Sequence, residues 1–84
     1  MSYEIIFSPS ATKYLEKLPK PIIERILKKM DAVAEDPFHY LEHFEGEGYK
    51  LRIGEYRALI DVDFEKLILY VRVFDIRGRI YNRA

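Results

Sequence analysis

The sequence predicts an α+β fold: an N-terminal strand, a helix hairpin, and then an antiparallel β-meander. Three observations carry this reading. Ile22, Ile23, Ile26, Leu27, Met30, Val33 and Ala34 keep an i, i+3, i+4 rhythm without a miss, which is the signature of an amphipathic helix. Residues 49–62 instead alternate apolar and polar on either side of Gly54-Glu55, which is the signature of a half-buried hairpin. A short alternating stretch at residues 3–7 comes before both. With 84 residues there is room for one core, so residues 1–84 read as a single domain.

Each element has a local cause. Tyr3, Ile5 and Phe7 share one face of the first strand. Ser8-Pro9 then supplies an N-cap followed by proline at the first helical position, where its missing N–H costs nothing. Ala11, Tyr14, Leu15 and Leu18 fall at helical spacing, and Pro19 stops that helix. Pro21 restarts a second one, which places Glu24, Arg25, Lys28, Lys29 and Asp31 opposite its apolar stripe as a solvated face. Two helices joined this closely are expected to lie as an antiparallel hairpin. Asp36-Pro37 ends the second helix, and residues 38–48 read as a loop. Gly54-Glu55 is a Gly-first two-residue turn, which favours a type II′ hairpin between strands at 49–53 and 56–62. A third strand is expected at 67–74.

Composition narrows the function. The chain lacks cysteine, which removes disulfides and thiolate metal sites. It holds no apolar run long enough to span a bilayer, and its N-terminus has no basic segment before an apolar one, so a cytoplasmic protein is expected. Formal net charge is zero, yet the charges are unevenly placed. Residues 1–48 carry six Lys/Arg against nine Asp/Glu, whereas residues 49–84 carry eight against five. Six of the seven arginines lie in that second part: Arg52, Arg57, Arg72, Arg77, Arg79 and Arg83.

Strand parity says which face these arginines share. The two-residue turn pairs Ile53 with Tyr56, Arg52 with Arg57 and Lys50 with Leu59. Tyr49, Leu51, Ile53, Tyr56, Ala58, Ile60 and Val62 then face the helices. In the third strand Leu67, Leu69, Val71 and Val73 match that apolar face. Ile68, Tyr70, Arg72 and Phe74 are left on the open one, and a four-residue turn at 63–66 sets Arg72 beside Arg57. Like charges directly opposite one another destabilise a sheet by a few tenths to about 1 kcal/mol per pair. An anionic partner is the expected compensation, with Glu55, Asp61 and Asp63 as the local alternative. Arginine's rigid fork suits phosphate and also stacks on bases, so this face is a candidate RNA-backbone site.

Two helices, the run Tyr-Lys-Leu-Arg-Ile-Gly-Glu-Tyr-Arg at 49–57, an aliphatic strand and an Arg-rich tail with Tyr81 together resemble the RelE/ParE superfamily of toxin–antitoxin toxins, and its RelE branch in particular. The N-terminal Tyr-Glu-Ile-Ile-Phe-Ser-Pro-Ser-Ala fits as well, so the resemblance covers nearly the whole chain. It implies a metal-independent endoribonuclease that needs no cofactor and cleaves messenger RNA in the ribosomal A site, with the 2′-hydroxyl attacking the adjacent phosphate. Arg57 and Arg77 resemble the residues that brace the scissile phosphate. Lys50 and Arg52 resemble those that position the backbone or donate a proton, and Tyr81 the one that stacks on a base or orients the hydroxyl. Arg72, Arg79 and Arg83 are the expected RNA- and ribosome-binding residues. The implied partners are a RelB-like antitoxin, the ribosome and messenger RNA, with a monomeric toxin inside a hetero-oligomeric toxin–antitoxin complex. The chain departs from the family's usual pattern at Glu45 and Glu47 where a basic residue is common, at Ile76 where histidine is common, and in its neutral charge. Two rivals stay open: a ParE-like inhibitor of DNA gyrase, and a catalytically weak module that only binds its antitoxin.

His39 and His43 stand four apart near Glu42, Glu45 and Glu47. On a helix that spacing suits zinc, and His43 alone suits a general base, but Pro37 and two glycines argue for ordinary loop histidines. Asp61 and Asp63 share a strand face and read as polar positions near a strand end.

Overall fold

The computed structural model describes residues 2–46 and 48–76. Eight elements follow in order: β1 (Glu4–Phe7), α1 (Pro9–Glu16), α2 (Lys20–Glu35), α3 (Pro37–Tyr40), β2 (Glu42–Glu45), β3 (Gly48–Ile53), β4 (Tyr56–Asp63) and β5 (Ile68–Ile76). The strands form one sheet in the order β1-β5-β4-β3-β2. All neighbours are antiparallel except β1, which runs parallel to β5. No helix among the described residues is long and apolar enough to cross a membrane.

The α+β reading therefore holds, and the hairpin register is as parity requires. Ile53 faces Tyr56, Arg52 faces Arg57 and Lys50 faces Leu59. Gly54 sits at φ 59° while Glu55 keeps a negative φ, the combination of a type II′ turn. Leu51, Ile53, Ala58, Ile60, Val62, Leu69 and Val71 are buried against Ala11 and Leu15 of α1 and Ile26, Met30 and Val33 of α2. The second helix buries Ile26, Met30, Val33 and Ala34 from its apolar stripe but leaves Leu27 42% exposed.

Three sequence expectations are corrected. The stretch expected as a loop holds a helical turn, α3, and an edge strand, β2, that pairs with β3 through Glu42↔Lys50 and His43↔Tyr49. Asp36-Pro37 both ends one helix and, with proline in the first turn, starts the next. Leu67 lies in the turn before β5 rather than on its core face, at φ 56°, a left-handed conformation rare for a side chain of this kind. That turn is held by Asp63, whose Oδ1 accepts the backbone N–H groups of Glu65 (3.0 Å) and Lys66 (2.9 Å).

The third correction moves the site. Leu59 pairs with Val73, but the next residue, Ile60, pairs with Val71, so Arg72 is an extra residue in β5. A bulge of this kind reverses the alternation beyond it. Val73 consequently takes the open face and Phe74 turns into the core, where it is 1% exposed and stacks on Phe7 at a centroid distance of 6.1 Å. The bulge is tied down from the other end of the chain. Ser8 donates its backbone N–H to the Val71 carbonyl (2.9 Å) and its hydroxyl to the Arg72 carbonyl (2.6 Å). The same Oγ accepts the Ala11 N–H at 3.0 Å and so caps α1.

Candidate nucleic-acid interface

The face of the sheet turned away from the helices can be laid out in rows across the ladder. Nearest the β3–β4 turn stand Arg52 and Arg57. The next row holds Glu42, Lys50, Leu59 and Val73, and the one after it Asp61, Tyr70 and Ile6. Cations thus gather at the hairpin end, and the β5–β1 end is aromatic and aliphatic.

Arg57 is half-buried, with its Nε withdrawn from solvent, whereas its neighbour Arg52 is exposed. Two guanidinium groups side by side on a pleated surface make a donor array that matches adjacent oxygens of a phosphate. Lys50 is partly held by Glu42, with Nζ to Oε1 at 3.7 Å. Of the three it is the group whose chemistry allows proton transfer, because guanidinium does not deprotonate.

Arg72 does not lie beside Arg57 as a turn at 63–66 requires, because the ladder starts at Asp63↔Ile68 and the bulge adds a further shift. The bulge sets Asp75 opposite Arg57 and leaves Arg72 next to Asp61, with Nε to Oδ2 at 3.6 Å. Tyr70 stays on the open face, and Phe74 leaves it. Asp61 and Asp63 have separate tasks, one pairing with Arg72 and the other holding a turn. Arg77, Arg79, Tyr81 and Arg83 lie outside the described residues. The described chain ends at Ile76, which pairs with Tyr56.

The two histidines sit on different elements. His39 lies in α3 edge-on to Tyr40, with centroids 4.7 Å apart. His43 lies in β2, bonded through Nε2 to the Gly46 carbonyl (2.9 Å) and edge-on to Tyr49. That is a structural role for each ring, and it breaks the helical i, i+4 geometry that a zinc reading needs.

A family model described as the ParE toxin of type II toxin–antitoxin systems, parDE, matches residues 5–80. The chain belongs to the ParE toxin family. Among solved structures it is similar to the toxin of the intact Escherichia coli RelBE toxin–antitoxin complex, at 28% identity and a TM-score of 0.76 over 93% of this chain and 100% of that one. A mutant of the E. coli toxin RelE in the free state matches at 28% identity and 0.78, over 100% of this chain and 95% of that one. The Mycobacterium tuberculosis RelBE2 complex, 22% identical with a TM-score of 0.83 over 92% and 100%, shares the fold. No curated protein sequence matches the chain. Family and fold together make this a RelE/ParE-superfamily toxin of a type II toxin–antitoxin system.

Proposed function

We propose that this toxin is a ribosome-dependent endoribonuclease that cleaves messenger RNA in the A site and so arrests translation. The observation that carries the reading is the pairing of Arg52 with Arg57 on the open face, one row from Lys50. In the step this supports, the 2′-oxygen attacks the adjacent phosphorus as its proton passes to water, the bond to the 5′-oxygen breaks, and that oxygen takes up a proton. The RNA is left with a 2′,3′-cyclic phosphate and a free 5′-hydroxyl. Arg57, with Arg77 arriving from the tail, braces the non-bridging oxygens as charge builds on them; one such donor contributes about 10²–10³-fold in rate. Arg52 holds the strand, and Lys50 protonates the leaving oxygen. Tyr81 stacks on a base or orients the 2′-hydroxyl. Arg72, Arg79 and Arg83 contact RNA around this centre. Arginine supplies the electrophilic role, so the step as written calls on no metal.

The partner that silences the toxin is a RelB-like antitoxin, which is what the solved RelBE structures pair their toxins with. Leu27 and the stacked, exposed Phe38–Phe64 pair (centroids 5.5 Å apart) offer apolar docking for such a chain.

A second reading, inhibition of DNA gyrase, is favoured by the description of the matching family itself. Purified toxin is added to ribosomes programmed with a defined message and an empty A site, and new ends are mapped by primer extension. Cleavage within the A-site codon, absent with Arg57→Ala, is the expected result. Intact message together with loss of supercoiling in a gyrase assay transfers the chain to the second reading. Neither effect leaves a module that only binds its antitoxin.

A further inference from the structure

A second basic feature lies around the corner from the open face. β2 pairs with β3 only as far as Lys50, so the outer edge of β3 is uncovered from Leu51 to Ile53. In a hairpin closed by a two-residue turn, Ile53 and Tyr56 form the hydrogen-bonded pair. The backbone N–H and C=O of Arg52 therefore point outward at this edge. Between the edge and α2 opens a notch of about 390 Å³, lined by Arg25, Lys28, Lys29 and Ala32 of the helix and by Arg52, Ile53 and Gly54 of the hairpin.

The helix residues stand at i, i+3, i+4 and i+7, one stripe of α2, so helical geometry aims all three cations at the notch. Arg25 lies against the turn: a Cβ on Gly54 would sit 3.3 Å from its Nη1, a tight contact that the guanidinium would have to give way to. Lys29 is held over the Tyr40 ring, with Nζ 4.5 Å from the centroid. Lys50 and Arg72 have carboxylate partners, but Arg25, Lys28 and Arg52 have none among the described residues. Four cations around one concavity, with no carboxylate among its described lining, make a site for anions. The notch is open to the surface and shares Arg52 with the row that holds Arg57. A ligand with a single anionic group would leave most of these charges unanswered, whereas a chain of phosphates answers them in succession.

We infer that this notch binds the backbone phosphates of an RNA strand as it passes round the edge of β3 toward the open face. The inference rests on the endoribonuclease reading for its biological setting, but the binding itself is measured separately. Inorganic phosphate shares the chemistry, so the test includes it beside RNA. The ¹⁵N-labelled protein is titrated with a 2′-O-methyl RNA oligonucleotide, with inorganic phosphate, and with poly-glutamate, while the amides of residues 25–32 and 52–54 are followed. RNA affinity is measured by fluorescence polarisation across a salt series.

RNA is expected to shift these amides at far lower concentration than phosphate does. Arg25→Gln/Lys28→Gln is expected to weaken RNA binding at least tenfold and to lower the salt slope by about 1.4, because each single-strand phosphate contact contributes about 0.7. Ala32→Glu, which places a carboxylate in the notch, is expected to weaken binding similarly with an unchanged Tm. Affinity and slope unchanged in both variants overturn the inference. So does a response to poly-glutamate with none to RNA, which would mark a surface for an acidic protein. Phosphate acting as strongly as the oligonucleotide overturns the strand and leaves a small-anion site. Loss of A-site cleavage in the wild type with the notch response intact removes the functional reading alone.

Discussion

Replacing Phe74 by alanine distinguishes the bulged strand from a regular one. The ring is 1% exposed and packs on Phe7 with planes 26° apart. Truncating a buried phenylalanine costs about 3–5 kcal/mol, the sum of lost transfer energy and the cavity left behind. A domain of this length has a total stability of roughly 4–13 kcal/mol, so the substitution removes a large share of it. At about 4–8 °C per kcal/mol for a domain this small, Tm falls by more than 10 °C. Were β5 to alternate without interruption, Phe74 would lie on the open face, and its removal would stay within about 0.5 kcal/mol. Val73, half-buried on the open face, is the internal control, and its alanine variant is expected to cost about 1 kcal/mol or less. Urea unfolding followed by circular dichroism gives both numbers from the midpoint and slope. Phe74→Leu, at about 1–2 kcal/mol, serves if the alanine protein is too unstable to fold. A Phe74→Ala protein as stable as its parent, beside a strongly destabilised Val73→Ala, would refute the bulge and return Phe74 to the open face beside Arg57.

Other outcomes follow from single contacts. Ser8→Ala removes the α1 cap and the bond to the Arg72 carbonyl together, and is expected to lower stability by about 1–3 kcal/mol in the same urea assay. Gly54→Ala forces a side chain into a left-handed turn position and against Arg25, costing about 1–2 kcal/mol, seen as a lower Tm. Glu42→Gln removes one anionic partner of the half-buried Lys50, so stability moves by about 1 kcal/mol or less, while RNA affinity by fluorescence polarisation rises a few-fold at low salt. Arg57→Lys keeps the charge but loses the two-pronged geometry, and single-turnover cleavage on programmed ribosomes is expected to fall by about 10²-fold or more.

The hairpin was legible in the sequence because Gly54-Glu55 fixes the loop length, and loop length fixes register. Every pair from Lys50–Leu59 to Ile53–Tyr56 follows from it. The bulge was not legible. Parity extends a strand by strict alternation, and the bond that stabilises the extra residue comes from Ser8, distant in sequence. For the same reason the row containing Arg52 and Arg57 was readable, but the place of Arg72 was not. β2 escaped notice because its four residues show no alternation, and its pairing depends on β3 being present as a template. The notch escaped for another reason. Arg25, Lys28 and Lys29 look like any solvated helix face until the uncovered edge of β3 is found beside them. Asp36-Pro37 did carry a signal for α3: it repeats the pattern of Ser8-Pro9, a polar residue followed by proline at the start of a helix.

The parallel pairing of β1 has a consequence for the order in which the chain acquires its structure. β1 contacts the sheet only through β5, and the hydroxyl that caps α1 reaches 64 residues along the chain to Arg72. Contacts of such separation are late events in folding, since the whole intervening loop must close before they yield any stabilisation. The first strand to emerge during synthesis therefore waits unpartnered, while the helices and the β3–β4 hairpin can form from neighbours. Only when the fifth strand arrives are the first helix, the bulge and the outer strand locked in one event. The basic face of a toxin is thus completed by the last of its described strands, and a chain interrupted before it carries Arg52 and Arg57 without the surface that arranges them.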